Sequence, residues 1–480
     1  METTQPTPLC LVSPSTTPSG GDSGDAPSGS SNPCKLCTPL GACIAFKGVA
    51  GCVPLLHGSQ GCSTYIRRYC ISHYREPIDI ASSNFSEDSA VFGGRRNLHL
   101  SIDNITRQYR PALVGIATTC LSETMGENVP MMLAEYRAEE RSLPEEGEAP
   151  ELVHVSTPSF KGTHVDGFHA TVRSLVNTFA GKTEAHPAGV VAPVALFPGM
   201  VSPADLRHLR TVFGLWGVPV SILPDYSETL DGPSWADYER LPAGGTTLDE
   251  IRGMAWAPGA VEFGCVLAGE SKTAGAILAE RFAVRHHRLG LPIGLRETDR
   301  FFGVVEAISG REVPELFERE RGRLVDSYVD GHKYLAGRRA VVYGESDLVA
   351  ALAIFLAETG VTPVLCASGE RNGRLEPAIL AAAPELAGKI QVLEGSDFTD
   401  ISEGIASLAP DLLIGSSKGH KLARELGIPL VRCGFPIHDR IGAQRIQHLC
   451  YAGSQQLYDS IANALLERKQ DGSEVGYSYL

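Results

Sequence analysis

The chain has 480 residues, 43% hydrophobic and 20% charged, which fits a soluble globular protein too long for one core and so divided into about three domains. Its net charge of −14 offers no basic face for phosphate backbones and argues against a nucleic-acid partner. No stretch approaches the roughly 18 consecutive apolar residues of a membrane helix, and METTQPTPLCLVSPSTTPSGG lacks the basic start and apolar run of a secretory leader. The expected compartment is therefore the reducing cytoplasm, with no membrane partner, where twelve cysteines point to metal ligation or buried thiols rather than disulfides.

Residues 1–31 are rich in Pro, Ser, Thr, Gly and Asp and have little to bury, so a disordered tail is expected there, with Cys10 inside it. A first α/β domain is expected over 32–185. Within it LVGIATTC (113–120) reads as a buried parallel strand that delivers Cys120 into the loop at its carboxyl end, the edge where open α/β sheets gather ligands. The acidic, proline-broken stretch 135–151 reads as a solvated connector, and ELVHVSTPSF as the next strand, with Ser159 just past its end.

A second α/β domain is expected over 186–330. VVAPVALFPG (190–199) and VPVSILPD (218–225) read as strands around an amphipathic helix over 204–217. AGGTTLDEIRG is a turn followed by a Thr-capped helix. VEFGCVLAG, a helix over about 271–287 and LPIGLR complete the block. The third, over 331–480, alternates most clearly: RRAVVYGE, a helix over 347–360 and VTPVLCASG, then KIQVLEG, DLLIGSS and IPLVRCGF as short strands. Such alternation predicts doubly wound, mainly parallel sheets. No GxGxxG opens a helix here and no GxxxxGKS or GxxxxGKT occurs, so the architecture does not by itself imply a nucleotide.

Seven of the twelve cysteines lie between Asn32 and Cys120, several beside small or turn-forming residues where a thiolate can point out of the backbone. Cys34 and Cys37 form a CxxC. A zinc knuckle would want a second close pair about 12–20 residues on, and a thioredoxin-like pair would want a preceding strand; neither is present. Cys43, Cys52 and Cys70 border apolar runs and read as buried thiols, as do Cys265, Cys366, Cys433 and Cys450. Cys37, Cys62 and Cys120 remain. Three thiolates cannot fill the four ligand sites of a four-iron cluster, so a fourth ligand is hidden or another chain supplies it. His57 could ligate, but a histidine in a glycine loop more often orients the turn.

Asp326 and Asp330, four apart on a predicted helix, share one face. Neutralisation by Arg321, Arg323 and solvent is the plainer expectation, and a hard-cation site completed by a carboxylate from elsewhere the sharper one.

The motifs NPCKLCTPLGA, HGSQGCSTYIRRYCISHYREP, SEDSAVFGG, ATTCLSETMGEN, TPSFKGTHVDGF, AGGTT, ERGRLVDSYVDGH and GFPIHDR, in this order from Asn32 onward, resemble the component 1 proteins of nitrogenase and their relatives. The likeness is to the β-type subunit and to the scaffold subunit for assembly of the iron–molybdenum cofactor. The resemblance implies three Rossmann-like domains, an α2β2 heterotetramer with an α-type subunit, and an ATP-dependent iron protein as electron donor. By it Cys37, Cys62 and Cys120 hold half of a P-cluster-type iron–sulfur cluster (8Fe-7S) shared with the partner chain. Ser159 matches a serine that can ligate an iron of the oxidised cluster, and Phe92 an aromatic where the iron protein docks. Tyr65 lies on the way from this cluster to the active-site iron–sulfur cofactor in the partner subunit. Glu76, the backbone of Arg75, Asp326 and Asp330 match an intersubunit cation site.

Cys34, Cys43, Cys52 and Cys70 depart from the β-type pattern, a short tail replaces its long N-terminal helical extension, and the second half reads more like the scaffold. A full cysteine triad in that setting implies the β-type subunit of a nitrogenase-like reductase, such as methylthio-alkane reductase, which cleaves carbon–sulfur bonds. A cofactor scaffold is the alternative, and a catalytically silent structural subunit a third reading.

Overall fold

In the computed structural model, described over residues 34–139, 149–182, 189, 191–237, 239–266 and 272–474, three sheets with parallel pairing throughout follow one another along the chain. The expected tail and Cys10, and residues 140–148 of the acidic connector, lie outside the described residues. The first sheet holds β1 (Cys52–His57), β2 (Ala81–Ser82), β3 (Leu113–Thr118) and β4 (Glu151–Val155), in the order β2-β1-β3-β4. The second holds β5 (Val194–Phe197), β6 (Val220–Ile222), β7 (Ala260–Phe263) and β8 (His286–Leu289), in the order β6-β5-β7-β8. The third holds β9 (Arg339–Gly344), β10 (Thr362–Ser368), β11 (Gln391–Glu394), β12 (Leu412–Gly415) and β13 (Leu430–Arg432), in the order β11-β10-β9-β12-β13. In the first sheet the winding reverses between β1 and β3, so a crevice opens beyond their carboxyl ends. The described residues contain no helix long and apolar enough to cross a membrane.

Around the first sheet lie α1 (Thr38–Lys47), α2 (Gln60–Tyr74), α3 (Glu87–Phe92), α4 (Arg95–Tyr109), α5 (Cys120–Thr124), α6 (Val129–Ala138) and α7 (His164–Phe179). Every residue of α1 is buried, because it packs against α7 with almost no side chain between the two backbones. Glycine makes that approach possible. A Cβ on Gly41 would stand 1.7 Å from the His164 carbonyl oxygen, and one on Gly167 would stand 1.9 Å from that of Thr38. The contact fixes the start of α1, and Cys37 with it.

Two features differ from expectation. CVPLLH, whose apolar run carries no alternation, is the central strand β1, buried on both faces as a parallel strand between helices must be. The helix expected over about 271–287 stops at Phe282, where Ala283 takes a left-handed conformation (φ 58°). HHRL then pairs along β7 as the edge strand β8, from Ala260↔His286 to Phe263↔Leu289. Edge pairing, with His286 placed 2.8 Å from the buried carboxylate of Glu262, overrides a sequence with no strand pattern. LPIGLR turns into a helix over Gly294–Ser309.

Candidate functional site

Each thiol of the predicted triad sits at the start of a helix rather than in an open turn. Cys37 is the residue before α1, Cys62 lies in the first turn of α2 and Cys120 opens α5. The last two follow the adjacent strands β1 and β3, which pair in register up to His57↔Thr118, so both helices start at the crevice edge. Helix starts present backbone amides without intrahelical partners, free to donate to a bound group.

Ser159 ties the site together. Its backbone amide donates to Cys120 Sγ at 3.3 Å, and its hydroxyl accepts from the amide of Thr38, the residue after Cys37, at 3.2 Å. It holds that place because Thr157 bonds twice to Thr118 across the ends of β4 and β3, at 2.9 and 2.6 Å. Cys37 also faces α2 at Tyr65, one turn beyond Cys62; burial first, then Tyr69 and the Cys37 sulfur, raise the Tyr65 hydroxyl above its ordinary value. Ser59 Oγ lies 3.7 Å from Cys62 Sγ. Cys37 and Cys120 are exposed and Cys62 partly so.

Their chain neighbours are exposed and apolar: Tyr65 at 44%, Leu121 at 40% and Phe160 at 62%, with Phe92 at 85% on the end of α3. Contiguous apolar side chains around polar ligands mark a surface that another protein covers. Among the described residues no three His, Cys, Asp or Glu side chains gather closely enough to hold one metal ion. The donor set therefore suits a polynuclear group with soft thiolate ligands and further ligands from outside the chain.

Residues behind the thiols orient this wall, among them His57 in the turn-orienting role its glycine loop suggested and two glutamates that sequence reasoning passed over. Fully buried His57 has Nδ1 3.1 Å from Ser83 Oγ and Nε2 3.3 Å from Glu127. Burial holds it below its ordinary pKa, against the pull of the Glu127 carboxylate, so it orients the turn as a neutral ring. The other oxygen of Glu127 accepts from the Gly94 amide at 2.9 Å and so pins the loop that carries Phe92. Glu123 accepts from the hydroxyls of Thr118 and of Ser156, the latter at 2.6 Å. Glu123 and Glu127 lie within LSETMGEN, where nothing in the spacing distinguishes them from solvated acids.

The remaining cysteines go elsewhere. Cys43, Cys52 and Cys70 are buried, and burial pushes Cys52 and Cys70 up to about 12. Cys34 turns away from Cys37: its thiol packs near Ser396 and Lys418, and burial raises it to about 12. The two thiols of the CxxC differ in exposure, Cys34 partly buried and Cys37 exposed, yet both lie near Lys418. Cys366 and Cys450 are buried and Cys265 is partly exposed. Cys433 does more than fill the core, because its sulfur lies 3.2 Å from Nε2 of buried His448.

Glu76, Asp326 and Asp330 do not come together within the chain. Half-buried Glu76 follows the left-handed end of α2 at Arg75 and faces Asp231 and Arg445; burial, then Asp231, raises its carboxyl above the usual range. Asp326 and Asp330 are exposed on the helix Glu315–Leu335. The expected neutralisation by Arg321 does not occur, because that side chain pairs with Asp299 at 2.9 Å.

Comparison with known proteins decides the family. The model of the nitrogenase component 1 type oxidoreductases matches residues 37–466. This chain belongs to the nitrogenase component 1 family. Within that family it is similar to β-type chains. It is 35% identical to the nitrogenase molybdenum-iron protein beta chain of Clostridium pasteurianum over 440 residues, 91% of this chain and 93% of the relative. The corresponding chain of Methanothermobacter thermautotrophicus is 37% identical over 442 residues, 91% and 94% of the two. A solved structure titled nitrogenase Cp1 at pH 6.5 superposes with a TM-score of 0.89 at 33% identity, covering 96% of this chain and 98% of that one. The component 1 fold thus extends over nearly the whole chain, including the helix starts that carry the three thiols.

Proposed function

We propose that this chain is the β-type electron-relay subunit of a nitrogenase-like component 1 reductase. Cys37, Cys62 and Cys120 would hold half of a P-cluster-type iron–sulfur cluster (8Fe-7S), the α-type partner supplying the other half. The observation that carries this reading is the bridge through Ser159, which joins the starts of α1 and α5. The residues fit such a group: three soft donors at helix starts, accessible, with apolar neighbours ready to be covered. When bound, the cluster supplies one-electron storage between an ATP-dependent iron protein, docking around Phe92, and the active-site iron–sulfur cofactor of the partner. The chain's own residues hold the sulfurs, donate an amide to Cys120 and offer the Ser159 hydroxyl as a harder ligand for a more oxidised iron.

The three sheets support division into units at 32–185, 186–330 and 331–480. The exposed Asp326 and Asp330 of one copy and Glu76 with the Arg75 carbonyl of another would complete a cation site across an α2β2 assembly. The test is ATP-dependent reduction by the co-purified complex with its iron protein. Dinitrogen or acetylene turnover agrees with the names of the curated relatives, and release of a thiol from methylthioethanol assigns carbon–sulfur cleavage. A complex that reduces none of these, yet donates a molybdenum cofactor to an apoprotein, is an assembly scaffold and overturns the relay.

A further inference from the structure

Where the three units meet, behind the wall formed by Ser156 and Pro158, lies a cleft of about 620 Å³, within the range of small-molecule sites. Its charged groups are not balanced by one another. Asp166 is committed to the cap of α7, accepting from the Thr163 amide at 2.7 Å and its hydroxyl at 3.0 Å. Glu262 is held by His286 at 2.8 Å. Glu370 is partly buried and accepts from the Ser346 amide at 3.1 Å; desolvation raises its carboxyl to about 8. Arg173 has no such partner. Its guanidinium is half-buried on α7, forms no hydrogen bond or ion pair among the described residues, and is pushed below its ordinary pKa by burial. A desolvated cation left unpaired is costly, and an external anion is the usual remedy.

Two more arginines line the same cleft. Arg371 and Arg374 stand on a loop whose amides, those of Asn372, Gly373, Arg374 and Leu375, donate to Glu394 at 2.9, 2.6, 3.1 and 3.0 Å. The loop is rigid before any ligand arrives. Arg374 spends only one long bond, 3.5 Å, on the Val266 carbonyl. We propose that this cleft binds a small anion bearing two or more carboxylate or phosphoryl groups, held by Arg173 together with Arg371 and Arg374. Guanidinium forks recognise both oxyanions bidentately, and three of them on two elements favour a ligand with separated charges. The described lining holds no Phe, Tyr or Trp, and no Cys, so a thiolate-held cluster has no anchor. The ligand is a compact polyanion.

Isothermal titration of the purified complex with pyrophosphate, citrate and acetate tests this. Saturable binding of one pyrophosphate or one citrate per chain is expected, the tighter of the two naming the phosphoryl or carboxylate source, with acetate too weak to saturate. Arg173→Gln should weaken the preferred anion at least tenfold. Arg371→Gln, on an exposed side chain that folding does not need, should weaken it several-fold. Absence of saturable heat with both polyanions, acetate binding as tightly as they do, or wild-type affinity in Arg371→Gln and in folded Arg173→Gln would overturn the proposal.

Discussion

The backbone amide of Ser159 points at the sulfur of Cys120 from 3.3 Å, across the ends of two neighbouring strands. The same residue's hydroxyl accepts from the amide beside Cys37. One serine therefore couples two thiols that lie 83 positions apart in the sequence (120 − 37). Mutations at this wall separate the roles of sulfur, hydroxyl and amide.

Cys62→Ala should leave the fold intact, since alanine suits a helix and the position is partly exposed, with stability changed by about 0.5 kcal/mol or less. Iron content of the complex should fall, its cluster EPR signal should disappear and electron delivery should uncouple. Unchanged iron and activity in this variant would remove Cys62 from the site.

Ser159→Ala deletes the acceptor for the Thr38 amide but keeps the amide bond to Cys120. The orphaned amide should cost about 1 kcal/mol in denaturant unfolding. Iron content should persist while the midpoint potential of the most oxidised cluster couple shifts; an unmoved potential would show that the hydroxyl serves only as a backbone acceptor.

Asp326→Asn combined with Asp330→Asn tests the cation reading. Both side chains are exposed, so the variant should fold normally, yet sedimentation should show a weaker tetramer with cluster content preserved. A wild-type tetramer that stays intact in chelator argues that no cation bridges the copies.

Buried His448 sets an alkaline limit on stability. Burial alone would lower it, but Cys433 and Asp205 raise it to about 10, above an unfolded value of about 6.5. The sign follows: this contribution is fully present below about pH 6.5 and is lost as pH rises toward 10. Asp205 also accepts the amides of His448 and Leu449 at 2.8 and 3.0 Å. Asp205→Asn should therefore cost about 3–5 kcal/mol at pH 7 and flatten the fall in stability between pH 7 and 9.5, measured by urea unfolding. An equally steep fall in the variant would assign the alkaline limb to other groups.

Much of the architecture was legible because parallel strands between helices write themselves as apolar runs closed by glycine, as in RRAVVYGE and VTPVLCASG. β8 was not, because HHRL becomes a strand only by pairing with β7. Cys43, Cys52 and Cys70, read as core thiols from their apolar neighbours, are buried, whereas Cys265, read the same way, is partly exposed. The CxxC was rightly set aside as a unit, since Cys34 is partly buried while Cys37 is exposed. Glu127, which clamps His57 and the loop bearing Phe92, carried no signal at all.

By itself the sequence determined which residue types could serve: sulfur donors in the first third of the chain, an α/β alternation to carry them and an acidic charge balance. The tertiary structure alone decided that Ser159 bridges the helix starts carrying Cys37 and Cys120, that most of the other described thiols are buried, and that a cleft behind that bridge holds an arginine with no partner among the described residues. The reason is physical. Chain spacing limits what can be near, but parallel pairing and the glycine-mediated contact of α1 with α7 choose what is near, and hydrogen-bond satisfaction follows from position, not from composition.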